Sequence, residues 1–280
     1  MITTPFVSQI VLGDNIYDTA TITGISGIPI TGSVTFYVCT AVTCPSGGTF
    51  IGSTDVPLNT GETVNVQSPS YTPTTSGTFS FRADYSGDAN YLTTIESNLA
   101  QEVFTVVLPV TRTQGFWQTH TSFTKYVYEN YFGTNNQLFI GQNVDVAFDT
   151  HKGIIKNYPS ATGINEIFGA YYASIPKTTT GAKRIPTDQA RMTLLQQLLT
   201  AKLNCAAFGC PSSILSKITA ADNAYRTGNV ADMKMYTSEL DAYNNLGDGQ
   251  SIPAPLANQQ GKATPKSSQS AADAVFWNKP

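Results

Sequence analysis

Two domains of different class are predicted for this 280-residue chain: an all-β Greek-key sandwich over residues 1–110, then a mainly α-helical domain over residues 111–247. An irregular C-terminal arm, residues 248–280, completes the multi-domain reading. Three observations carry it. Phe79, Phe81 and Ala83 alternate with Ser80, Arg82 and Asp84, the period of a strand with one buried face. After Pro109 the period changes: Phe116, His120, Phe123, Val127 and Tyr131 recur at helical spacing. The length also suits about two domains of ~100–200 residues, each able to bury a core.

In the first domain, strands are expected at Val7–Leu12, Tyr17–Thr23, Ser33–Cys39, Thr49–Val56, Glu62–Val66, Thr78–Tyr85 and Glu102–Val107, with Gly, Pro and Asn between them. Val34, Phe36 and Val38 share one face. The run Ser86-Gly-Asp-Ala-Asn90 reads as a turn. Ile2–Val7 is strand-like and precedes the first turn, which makes it a candidate for pairing with a neighbour's sheet edge.

In the second domain, helices are expected along the Phe116–Tyr131 stripe and at Ile164–Ile175, Thr187–Phe208, Ser213–Arg226 and Val230–Leu246. Thr187 is the expected cap of the third, with Asp188 in its first turn. That helix carries two stripes, Leu194, Leu198, Ala201 and Cys205 beside Leu195, Leu199 and Leu203, so it should be central. Asn229 should cap the last helix and Gly247 end it. Residues 248–272 are small, polar and Pro-rich; the abruptly apolar Ala274-Val-Phe-Trp-Asn278 then calls for a docking place, on its own domain or on a neighbour.

Only 12% of residues are charged, and Thr, Ser, Asn, Gln and Tyr are abundant, as in many extracellular structural proteins. No run of apolar residues is long enough for a membrane span. Met1-Ile-Thr-Thr-Pro5 has no secretion-signal character, so any such signal is expected to have been removed or to lie outside this chain. Residues 1–110 hold eight acids and the single base Arg82, a balance of −7, and the rest carries +4. No basic run alternates with aromatics, so no nucleic-acid partner is expected.

The cysteines form two similar pairs, Cys39/Cys44 and Cys205/Cys210, each followed by Pro-Ser. Matched short spacing predicts two local disulfides and an oxidising compartment. A zinc site would need four converging ligands, and the chain has only His120 and His151 to add.

Two resemblances follow from particular residues. Tyr85-Ser-Gly-Asp-Ala-Asn-Tyr91, with the strand before it, resembles the Tyr-Ser-Gly-Asp-x-x-Tyr ending of bacterial and archaeal immunoglobulin-like repeats, covering residues 6–107. Arg112-Thr-Gln-Gly-Phe-Trp-Gln-Thr-His120 is similar to the Arg-Thr-x-Gly-Tyr-Trp-Lys-Asn-His opening of a C-terminal domain found in many secreted prokaryotic proteins. Gln197-Leu-Leu-Thr-Ala-Lys-Leu-Asn204 is similar to that domain's later helix. Phe116 and Gln118-Thr119 depart from its Tyr and Lys-Asn. Together the resemblances imply an archaeal cell-surface protein with an immunoglobulin-like sandwich.

Candidate chemistry is sparse. Asp84, Asp88 and Asn90 could supply oxygens to calcium, but the same residue types build turns through side-chain to backbone bonds, the preferred reading. Trp117 and His120 could shape a pocket or hold a metal; the preferred reading is an aromatic anchor on the central helix, with His120 bonded to backbone. No nucleophile-elbow motif accompanies either His. The expectation is therefore a non-enzyme without cofactor: a self-assembling filament or surface-layer subunit, joined head to tail through unlike charges, with Phe6, Val7, Phe276 and Trp277 as assembly contacts. The rival is an adhesin whose helical domain binds a glycan or a protein.

Overall fold

A computed structural model describes residues 1–95, 101–132, 138–141 and 161–280; for 161–164 it describes the helix but no side chains. His151 lies outside the described residues. The chain divides into two compact units, Met1–Leu108 and Pro109–Pro280.

The first unit is β throughout. Strands β1 (Ile2–Pro5), β3 (Asp18–Thr23) and β6 (Thr63–Gln67) form an antiparallel sheet in the order β1-β3-β6. The second sheet runs β2 (Gln9–Val11), β9 (Val103–Val107), β7 (Gly77–Tyr85), β4 (Ser33–Cys39), β5 (Thr49–Asp55), with the short β8 (Thr94–Ile95) on β7. Within it β2 runs parallel to β9, and the other pairs are antiparallel. The chain thus enters one sheet with β1 and crosses to the other with β2. Inward residues alternate as the pleat requires, and both sheets feed a shared interior: Ala20, Ile22, Val64 and Val66 from one meet Val34, Phe36, Ala83 and Tyr85 from the other. A second cluster stacks Phe79 and Phe81 on Phe104. The N-terminal segment, expected as a strand for a neighbour, is already paired in its own sheet, Ile2–Pro5 against Asp18–Thr21.

The second unit is helical: α1 (Gln114–Thr119), α2 (Thr121–Tyr131), α3 (Ala161–Tyr172), α4 (Pro186–Phe208), α5 (Ser212–Thr227), α6 (Val230–Leu246) and α7 (Pro265–Ala271). Helix α4 is central, its Leu194, Leu195, Leu198, Leu199, Ala201 and Leu203 all fully buried. Asn229 caps α6 through its side-chain oxygen, which accepts from the N–H groups of Ala231 and Asp232.

Three expectations need correction here. The Phe116–Tyr131 stripe is not one helix: it breaks at His120, where Thr119 O accepts a bond from Thr264 N (2.7 Å) and Thr124 Oγ1 donates to Trp117 O (2.7 Å). Thr187 does not cap α4; Ile185 stands at the cap, without a side-chain bond, and Pro186 supplies the first helical position. The arm is not irregular either, for it contains a 3-10 turn at Leu256–Gln259, α7, and a second 3-10 turn at Phe276–Asn278.

Candidate functional site

The two motif segments of the second unit meet around one side chain. Asn204, in the last turns of α4, is fully buried. Its Oδ1 accepts from Arg112 N (2.7 Å) and Trp117 Nε1 (3.0 Å), while its Nδ2 donates to Arg112 O (2.9 Å) and Asn244 Oδ1 (3.0 Å). An amide has capacity for two bonds on each end, and all four are taken. Asn244 Nδ2 passes the chain on to Gln197 O at 3.0 Å. The Arg112 guanidinium donates to Thr111 O (2.6 Å), Asp248 O (3.1 Å) and Gln250 O (2.8 Å), and faces the rings of Phe116 and Phe208. Burial lowers the Arg112 pKa and the Asp248 charge opposes that. Lys202 of the same motif pairs with Asp222 (2.6 Å) and donates to Phe139 O. His120 stacks on Phe116, its Nδ1 3.1 Å from Phe116 O. The motif residues therefore clamp α1, α4 and the segment after α6 together, and Asn204 keeps no free donor or acceptor for a substrate.

In the first unit Asp84 and Asp88 are engaged with different partners. Asp84 pairs with Arg82 across β7. Asp88 Oδ2 accepts from Thr31 N (2.7 Å), Thr31 Oγ1 (2.9 Å) and Tyr85 OH (3.2 Å), and its Oδ1 accepts from Asn90 N (2.7 Å) and Tyr91 N (2.8 Å). Those donors, Thr31 N foremost, hold the carboxyl well below the usual range, and burial with the nearby Asp88 pushes the Tyr85 hydroxyl up to about 12. The loops of this end are tied into one surface. Tyr91 OH accepts from Ile25 N (3.0 Å) and donates to Ile28 O (2.8 Å); Asn59 Nδ2 donates to Ile30 O (2.7 Å); Gly27 N donates to Thr60 O (2.9 Å). Gly61, at φ 91°, has no room for a side chain, since a Cβ would strike the carbonyls of Ile28 and Ile25. This end leaves large aliphatics in solvent: Ile25 is 62% exposed, Leu58 105% and Leu92 89%. No local sequence signal marked them, because a lone Leu in a loop says nothing of what covers it.

The second unit has an open cleft of ≈ 490 Å³ between the start of α4 and α6, walled by Ile175, Pro186, Ala190 and Val230 with Lys234 beside them. Thr193 and Thr237 also line it, but their hydroxyls donate back to Gln189 O and Met233 O of their own helices. Among the described residues no group of three or more His, Cys, Asp or Glu could hold a metal ion.

Both disulfides are formed. Cys39–Cys44 fastens the end of β4 to the following loop, and Cys205–Cys210 fastens the last turn of α4 across the junction with α5. Phe6 is 62% exposed and stacks on Tyr17, and Val7 is exposed. Phe276 and Trp277 are not open to a neighbour as expected: Trp277 is fully buried in its own unit, its Nε1 donating to Glu166 O (2.7 Å), and Phe276 packs against the same core. The tail crosses α3 so closely that a side chain at Gly169 would strike Asp273 O.

No family model and no curated protein sequence matches this chain. Among solved structures it is similar to a beta-glucosidase from Listeria innocua in complex with glucose, at 15% identity and a TM-score of 0.25, over 38% of this chain and 16% of that one. The same enzyme in complex with isofagomine gives 16% identity and a TM-score of 0.22, over 34% and 15%. The chain thus spans under a fifth of the length of the proteins it resembles. No helix among the described residues is long and apolar enough to cross a membrane.

Proposed function

We propose that this chain is a non-enzymatic structural subunit of an extracellular cell surface, an immunoglobulin-like sandwich followed by a disulfide-stapled helical domain, and that copies assemble head to tail. The observation that carries the reading is a pair of unlike surfaces: a rigid aliphatic loop end on the acidic unit and an open apolar cleft on the basic one. Glu62, held by Ser26 Oγ (3.1 Å), flanks the loop end. Among the described residues Lys234 beside the cleft has no carboxylate partner. A contact of this kind between two copies is heterologous, and repetition gives a chain of subunits rather than a closed dimer.

Magnitudes set its strength. Burying Ile25, Ile28, Leu58 and Leu92 contributes at most about 1.5–3 kcal/mol each, while association costs on the order of 4–15 kcal/mol in lost freedom. The surplus is small, so each joint is weak, and polymers should form at the high local concentration of a surface layer. Two disulfides fit the oxidising exterior. The complete hydrogen bonding of Asn204 supports a framework role for the motif that resembles the secreted C-terminal domain.

Negative-stain imaging and light scattering across a concentration series test this reading. Ordered polymers are expected from the wild type, none from a Leu58→Asp, Leu92→Asp double variant, and weaker, more salt-sensitive ones from Lys234→Glu. Wild-type protein that stays a single chain at millimolar concentration rejects assembly and leaves the adhesin, with glycan or protein capture by the helical unit, as the reading to pursue.

A further inference from the structure

The interior of the first unit contains one feature that the assembly reading does not use. Asp18, the first residue of β3, and Glu102, just before β9, are both fully buried, and the Glu102 side chain hydrogen-bonds the Asp18 carboxyl. A hydrogen bond between two carboxyls needs a proton on one of them. Asp18 Oδ1 accepts from Thr19 N (2.7 Å), and Thr4 N of β1 also reaches the carboxyl. No N–H or hydroxyl donates to Asp18 Oδ2, which is buried. Arg82 and Asp84 of β7 pair with each other, with Arg82 over the Tyr37 ring. Elements β1 and β6 carry no ionisable side chain, and on β3 Asp18 is the only one.

The cover over this pair is β1, an edge strand of four residues whose inner face is Thr3 and Pro5, with Pro5 directly opposite Asp18. A strand so short is held by few ladder bonds, and an edge has no second neighbour.

We propose that Asp18 and Glu102 form an acid-closed latch on the N-terminal strand: with one proton held between the two carboxyls β1 stays seated, and when that proton leaves, two buried negative charges favour the state in which β1 has lifted and water reaches them. The inference goes beyond the assembly reading and does not rest on it. The direction of titration agrees with the geometry: burial, opposed by the bonds from Thr19, Glu102 and Thr4, raises Asp18 from 3.8 to about 6. For a carboxyl raised in the closed state, the closed state is fully favoured below the ordinary value near 3.8 and loses that advantage as pH rises through about 6. With these two values the opening equilibrium of β1 grows about tenfold between pH 5 and pH 7.5.

Hydrogen exchange on the full chain, corrected for the intrinsic pH dependence of exchange, tests this at the amides of residues 2–5. Protection in the wild type should fall about tenfold from pH 5 to pH 7.5, and in Asp18→Asn and Glu102→Gln it should be nearly level, because an amide keeps the hydrogen bond without the charge. Two variants guard against one failing to fold. Wild-type protection that does not change with pH overturns the latch, and so does an undiminished pH dependence in whichever variant folds. Polymerisation plays no part in the readout, so the latch can fail while the assembly reading stands, and the reverse.

Discussion

Two buried polar clusters, one in each unit, are satisfied in opposite ways. In the helical unit Arg112, Trp117, Asn204 and Asn244 are interlocked, and each capacity of the Asn204 amide is met by a partner at 2.7–3.0 Å. In the β unit Asp18 and Glu102 meet each other, and one buried oxygen of Asp18 receives no N–H or hydroxyl. A complete neutral network fixes geometry at any ordinary pH, whereas a carboxyl pair ties the structure to its protonation. Burial alone therefore says little about rigidity; what decides is whether the buried group is satisfied in its charged or its neutral form.

The comparison breaks most sharply at Asn204. Replacement by Leu, of similar volume, leaves Trp117 Nε1, the backbone N–H and carbonyl of Arg112, and Asn244 Oδ1 each short of a partner, at about 1–3 kcal/mol per buried group before relaxation. A loss of about 3–5 kcal/mol in the helical unit is expected, near the upper end for a single substitution. Calorimetry should show the helical transition moving down by roughly 10 °C at 2–4 °C per kcal/mol, with the β transition unmoved. A shift below about 2 °C would mean that the network is replaceable and that the contrast between the units is one of appearance.

Local pattern made much of this legible. The alternation around Phe36 and Phe81 located β4 and β7, and Asn229 with Gly247 marked both ends of α6, because caps and pleats act within a few residues. What was not legible depended on distant partners. The break at His120 interrupts an unbroken apolar stripe, with no Pro or Gly at that position; it arises because Thr264, far along the chain, bonds Thr119 O. The Asp18–Glu102 pair joins a residue of β3 to one just before β9 of the other sheet, and neither residue's neighbours in sequence announce the other. The motif around Trp117 was visible as a motif, yet its framework role needed Asn204 and Asn244 brought alongside from α4 and α6. The aromatic tail called for a docking place, but only the contact of Trp277 with Glu166 O identified it as the chain's own α3.

The disulfides sharpen the comparison with equal perturbations in unequal surroundings. Both close loops of the same separation, 5 residues, so the loop-entropy argument gives each about 2 kcal/mol. The same free energy moves a smaller cooperative unit further, about 4–8 °C per kcal/mol near 100 residues against about 2–4 °C in a larger one. Cys39→Ser with Cys44→Ser should therefore lower the β transition by roughly 10 °C, and Cys205→Ser with Cys210→Ser the helical one by roughly 5 °C. If the helical transition falls further than the β one, loop entropy is not the main contribution, and the packing of Cys205 near Tyr243 OH (3.8 Å) is the place to look.

The smallest effect expected is at the cap of α6, and it asks whether the units respond independently. Asn229 Oδ1 accepts from Ala231 N (3.1 Å) and Asp232 N (3.3 Å), and its Nδ2 donates to Asp232 Oδ2 (2.7 Å). Asp232 also places its charge in the first turn, where the exposed N–H groups favour it. Asn229→Ala removes the cap and should cost the helical unit about 1 kcal/mol, whereas Asn229→Ser keeps an oxygen acceptor and should cost a few tenths. A shift of roughly 2–4 °C confined to the helical transition is the expected result for the alanine variant. Because α6 also carries Asn244, a change at Asn229 that loosened the whole helix would reach the Asn204 network; exchange at the Arg112 amide then reports it directly. Unchanged protection at Arg112 confines the cap's influence to the first turn, while a parallel loss there makes α6 one rigid lever between its cap and the buried network.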